Sequence, residues 1–143
     1  MLTLALSLVA NGRAKPAAAL AHTCSATDRQ FIEEARTNMM ALGLWADQYQ
    51  SGDAKPSEVT AEARRAAKTV QGMGPTDPSL RETQKLMVGM LSEYAKAVQI
   101  QERHGNAGPH MYRAYGLANY AHGVLENAQP ALSARGCDLS ELL

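Results

Sequence analysis

The chain has 143 residues, with fourteen Lys and Arg against fourteen Asp and Glu and a pI near 6.9. That length makes one domain with a real core, and the charge balance lacks the cationic surplus that phosphate contacts need, so no nucleic-acid partner is expected. At 45% hydrophobic and 20% charged residues, the composition is globular and not disordered.

The first element is the apolar run Leu2–Ala10, followed by Asn11, Gly12, Arg13 and Lys15. At about nine residues it is half the ~20 a membrane-crossing helix needs, and it matches the core of a cleavable leader. Ala19-Leu20-Ala21 offers a small-x-small cut before His22, which divides the chain into a signal peptide (1–21) and a domain (22–143). Export is expected and a transmembrane segment is not, although no Lys or Arg precedes the run and two basic residues lie just after it.

Cys24 and Cys137 lie near the two ends of that domain, and neither belongs to a C-x-x-C or C-x-x-C-H pattern. The spacing argues against a dithiol redox site, a zinc site built on cysteine and covalent haem attachment. A Cys24–Cys137 disulfide closing a loop of roughly 110 residues stabilises the fold by about 4–5 kcal/mol on the chain-entropy model. Its presence fits a secreted or periplasmic location.

Next come four segments of helical periodicity, each followed by a glycine: Gly52, Gly72, Gly105 and Gly136. Ser25 with Asp28 and Ser79 with Glu82 have capping-box spacing, and Pro56, Pro78 and Pro109 suit first turns. Helices are predicted over 27–50, 56–71, 78–104 and 109–135, with a kink near Glu126 imposed by Pro130. No strand-like alternation is present. Apolar residues recur at steps of three and four in each helix, as in Ile32, Ala35, Met39, Leu42, Ala46 and Tyr49, or Met111, Ala114, Ala118, Ala121 and Leu125. Short connections and such stripes predict an all-α, up-down-up-down four-helix bundle closed by the disulfide.

The staple also acts as a ruler. Met39 and His122 each lie about fifteen residues, roughly 22 Å, from their own cysteine, and Met90, Glu93 and Tyr94 fall near the same level of the third helix. Beside the apolar stripe of the fourth helix runs a polar one, Tyr112, Tyr115, Asn119, His122 and Glu126, which reads either as an interhelical network or as the wall of a site. Gly43, Gly89, Gly116 and Gly123 lie within helices, where close helix packing is the ordinary reason and room for a ligand the other.

Three functions follow. The first is an exported, non-enzymatic bundle that binds a partner or small ligand. The second is non-covalent haem, or a similar flat cofactor, held by His122 and Met39 with Tyr94 or Tyr115 as substitutes, against the commoner roles of a hydrogen-bonded core histidine and a gap-filling methionine. The third is a small helical enzyme with Glu93 as a desolvated general base and Arg113 holding an anion. Metal sites fare worse: Asn119 stands where a di-iron Glu-x-x-His motif needs an acid, and His104 and His110 read as solvated residues flanking a turn.

Overall fold

The sequence punctuates itself into four helices, α1 (Ala26–Ser51), α2 (Pro56–Gln71), α3 (Pro78–Glu102) and α4 (Gly108–Ala134). The structure, a computed structural model, describes residues 23–143, and no strand occurs among them. The expected leader, 1–21, lies outside the described residues.

Local chemistry accounts for most of the boundaries. Extended Ser25 opens α1, its Oγ accepting the Asp28 N–H at 3.0 Å. The Glu58 carboxylate accepts the Lys55 N–H at 2.7 Å, and Pro56 stands in the first turn of α2. At α3 the expected Ser79–Glu82 box is not the cap. Asp77 is, its Oδ1 accepting the N–H groups of Ser79 at 2.8 Å and Leu80 at 3.2 Å, because Pro78 fixes the first helical position. Gly52 and Gly136 take the left-handed turn, with φ of 85° and 84°. Gly72 stays right-handed, and after α3 it is His104 (φ 58°) that turns left-handed. Gly105 is required for closeness instead, since a Cβ there would lie 2.8 Å from Ile100 Cγ2. The helix α4 continues through Pro130.

In sequence order, α1 packs on α2, α2 on α3 and α3 on α4. The ends of the domain are joined by the Cys24–Cys137 disulfide, with Cα atoms 5.2 Å apart. Around it converge three segments. The Cys24 N–H donates to the Arg135 carbonyl at 2.7 Å, Arg29 donates to the Cys24 carbonyl at 2.7 Å, and the Arg135 guanidinium pairs with Asp77. Buried Asp28 accepts the Thr76 N–H at 2.6 Å and the Asp77 N–H at 3.2 Å, tying the start of α1 to the α2–α3 turn.

Core side chains shrink with distance from this end. Phe31, Ile32, Leu80, Leu125, Leu132 and Leu139 surround the cystine. Farther along, the core is largely alanine: Ala63, Ala66, Ala67, Ala95 and Ala114 with Leu42, Met90 and Leu91. At the far end a small cluster of Ala54, Val59 and Val98 is buried, with Trp45, Tyr49 and Tyr94 against it. Bulky residues gather at one end, and small ones leave more space at the other.

Candidate functional site

The space left by the small residues is a groove of about 730 Å³ with α1 and α4 as walls and α3 as floor. From α1 come Met39, Leu42, Gly43, Ala46, Tyr49 and Gln50. The floor is Met90, Tyr94, Val98 and Gln101, and α4 adds Met111, Ala114, Tyr115 and Ala118. Among the described residues no charged side chain lines it. The apolar stripes therefore divide: in α1, Phe31, Ile32, Ala35 and Leu42 are buried, while Met39, Ala46 and Tyr49 of the same stripe face the groove. In α4, Ala114, Ala121, Leu125 and Leu132 are buried, whereas Met111 and Ala118 are groove walls.

Glycine decides how wide the walls stand. A Cβ on Gly43, Gly116 or Gly123 would meet nothing within 4 Å among the described residues, so close packing of these helices does not explain them. Only Gly89 fits that account, with Leu117 Cδ1 of α4 standing 3.2 Å from where its Cβ would be.

Phenols mark the groove's polar points. The Tyr49 hydroxyl donates to Gln101 Oε1 at 3.0 Å, joining the ends of α1 and α3. Burial pushes the Tyr94 phenol above its ordinary range, reinforced by the neighbouring Tyr49, Tyr115 and Asp47, so at neutral pH it stays a neutral hydrogen-bond donor. Tyr115 is 67% exposed at the rim.

Nearer the cystine a second hollow, about 340 Å³, opens between the same helices. Its lining includes Met39, Met40, Met87, Met90, His122 and Leu142. His122 is exposed, with Nδ1 3.6 Å from Glu126 Oε2 and Nε2 3.4 Å from the Leu143 carbonyl. Met39 and His122 thus line one hollow, and Tyr94 and Tyr115 line the adjoining groove.

Other expected site residues lie elsewhere. Glu93 lines neither hollow and is not a desolvated base. Its carboxyl is lowered to about 2, first by the His110 Nδ1 contact at 2.6 Å, which with Arg113 Nε at 3.0 Å and Lys96 Nζ at 3.3 Å outweighs partial burial. A carboxylate held so firmly ionised is a weak proton acceptor. Arg113, expected to hold an anion, is bound to Glu93 instead. His110 is half-buried in this cluster and not a solvated turn residue, while His104 is exposed. Of the polar stripe on α4, Tyr112 (81% exposed), Asn119 and Glu126 all face solvent.

Among the described residues no three His, Cys, Asp or Glu side chains come together as a metal site, and no helix is long and apolar enough to cross a membrane. In comparisons with known proteins, no family model, no curated protein and no solved structure matches this chain.

Proposed function

We propose that the protein is an exported, non-enzymatic binding protein that holds a small, uncharged, largely apolar molecule in the groove between α1 and α4. The observation that carries this reading is the groove itself. Its volume of about 730 Å³ falls in the range of small-molecule sites, roughly 300–1,000 Å³. An apolar lining broken by a few phenols and amides is the usual make-up of such sites, apolar contact supplying affinity and the polar points orientation. Gly43 keeps one wall clear at no benefit to packing, which a merely structural bundle does not need.

Export is part of the proposal: the Cys24–Cys137 bridge is stable in an oxidising compartment, and residues 1–21 would be the leader removed on the way. So is an up-and-down course of the four helices. It is supported by the bonds that bring the start of α1, the α2–α3 turn and the end of α4 together, and by the Tyr49–Gln101 bond between the ends of α1 and α3.

The test is purification of the native, disulfide-intact protein followed by organic extraction and mass spectrometry. It is paired with titration of the emptied protein by the uncharged fluorescent dye N-phenyl-1-naphthylamine. A stoichiometric extracted molecule is expected, together with dye binding that Gly43→Phe abolishes without lowering the melting temperature. A protein that carries nothing, and binds dye equally with Phe at position 43, overturns the reading. A Soret band in the native preparation, removed by His122→Ala, would instead mark haem held through His122 and Met39.

A further inference from the structure

Four of the chain's seven methionines line the smaller hollow together with one imidazole: Met39 and Met40 from α1, Met87 and Met90 from α3, and His122 from α4. Methionine ordinarily fills irregular gaps in a core. Met87 and Met90, 6% and 8% exposed, have that burial, but the space they border is open. Met40 is 62% exposed, so packing does not account for a thioether at the mouth.

A thioether sulfur is a neutral, polarisable donor that hard cations ignore and soft ones select. Calcium and magnesium need several oxygens, and zinc takes thiolate, imidazole and carboxylate, whereas no three His, Cys, Asp or Glu meet among the described residues. Met87 and Met90 are three residues apart and so present their sulfurs on one face of α3. Across the hollow, His122 has Nδ1 3.6 Å from Glu126 Oε2 and Nε2 3.4 Å from the Leu143 carbonyl, so Nε2 becomes a metal ligand only by giving up that carbonyl, with Glu126 then able to hold the proton on Nδ1. The positive charge bordering the hollow, Arg36, is neutralised by Glu141 at 2.7 Å.

We propose that this hollow is a Cu(I) site, built from the thioethers of Met39, Met87 and Met90 with Nε2 of His122, and entered past Met40. Met39 and Met90 border both spaces, but Met40, Met87 and His122 do not line the larger groove, so changes at these three test this reading apart from the first.

The experiment is anaerobic titration of the disulfide-intact protein with Cu(I) against the chelator bathocuproine disulfonate, with Ag(I) as a redox-inert probe of methionine ¹³C-methyl resonances. One equivalent of Cu(I) is expected to leave the chelator. Ag(I) should shift the methyl groups of Met39, Met87 and Met90 and leave Met73 and Met111 unmoved. The double variant Met40→Leu/Met87→Leu should lose at least tenfold in Cu(I) affinity with dye binding in the groove unchanged. His122→Ala, at an exposed position, should also lose about tenfold, which keeps the test informative if the buried substitution fails to fold. No transfer from the chelator, equal affinity in these variants, or equal shifts at Met73 and Met111 overturns the proposal.

Discussion

Asp28 is a buried carboxylate that remains ionised at a place where burial alone would drive it neutral. Burial raises its pKa, but the N–H groups of Thr76 and Asp77 and the hydroxyls of Ser25 and Thr76 lower it further, leaving it below the ordinary carboxylate range. Asp28→Asn is expected to cost about 2 kcal/mol at neutral pH, read from urea unfolding. The sign with pH follows: the contribution is complete above the unfolded value near about 3.9 and fades as pH falls through the lower folded value, so wild-type and variant curves converge in acid. Glu93 behaves likewise between 4.5 and about 2, and Glu93→Gln should flatten the acid limb of the stability curve over that window. Thr60 presents the opposite case, a buried hydroxyl with no hydrogen-bond partner among the described residues. Thr60→Val keeps the shape and removes the orphan, and should raise stability by up to about 1 kcal/mol in thermal melts. None of these partners was legible in the sequence, because Asp28 reads as the acid of a local cap and its partners come from the α2–α3 turn, 48 and 49 residues along. Glu93 was misplaced for the same kind of reason: depth along a helix can be counted from the cystine, but the direction a side chain takes around the helix cannot.

Each helix was legible because its signals are local. Prolines in first turns, Ser25 as a cap and the glycines after each stripe set boundaries close to those observed. What a stripe does not encode is whether it faces a neighbour or a gap. Met39, Ala46 and Tyr49 repeat as a core stripe does, yet toward α4 they face alanine across the groove, and Met39 and Tyr49 are only partly covered, packed on one side against the core and open to the groove on the other. The interior glycines supply the test. Gly43→Ala and Gly116→Ala place a methyl in open space on a helix and should each stabilise the protein by about 0.5–1 kcal/mol, whereas Gly105→Ala should destabilise it, because its Cβ would lie 2.8 Å from Ile100 Cγ2. Paired urea midpoints check both signs. If Gly43 is kept for the groove, the stabilised Gly43→Ala variant should also bind dye more weakly than the parent.

Taken as one body, the chain has its covalent fastening at one end, while at the other the Tyr49–Gln101 bond ties α1 to α3 and leaves α4 apart from α1. The bridge spans a sequence separation of 113 residues, and its reduction, or Cys24→Ala with Cys137→Ala, should lower stability by about 4–5 kcal/mol. Because α1 packs chiefly on α2, its amides should be the first to lose hydrogen-exchange protection in the reduced protein. The bridge was readable from two cysteines at the ends of a helical domain. Unreadable was the C-terminal tail, whose Leu139 is 1% exposed beside the cystine and whose Leu142 borders the methionine hollow.

A fixed joint at one end and a gap at the other give α1 and α4 the mechanics of tongs. At 1.5 Å per residue, Tyr49 stands about 37 Å from Cys24, so a tilt of about 5° at the joint swings the tip by about 3 Å. Jaw width is thereby governed from the opposite end of the molecule: trimming Leu139, which touches no guest, would change the size of what the jaws can grip.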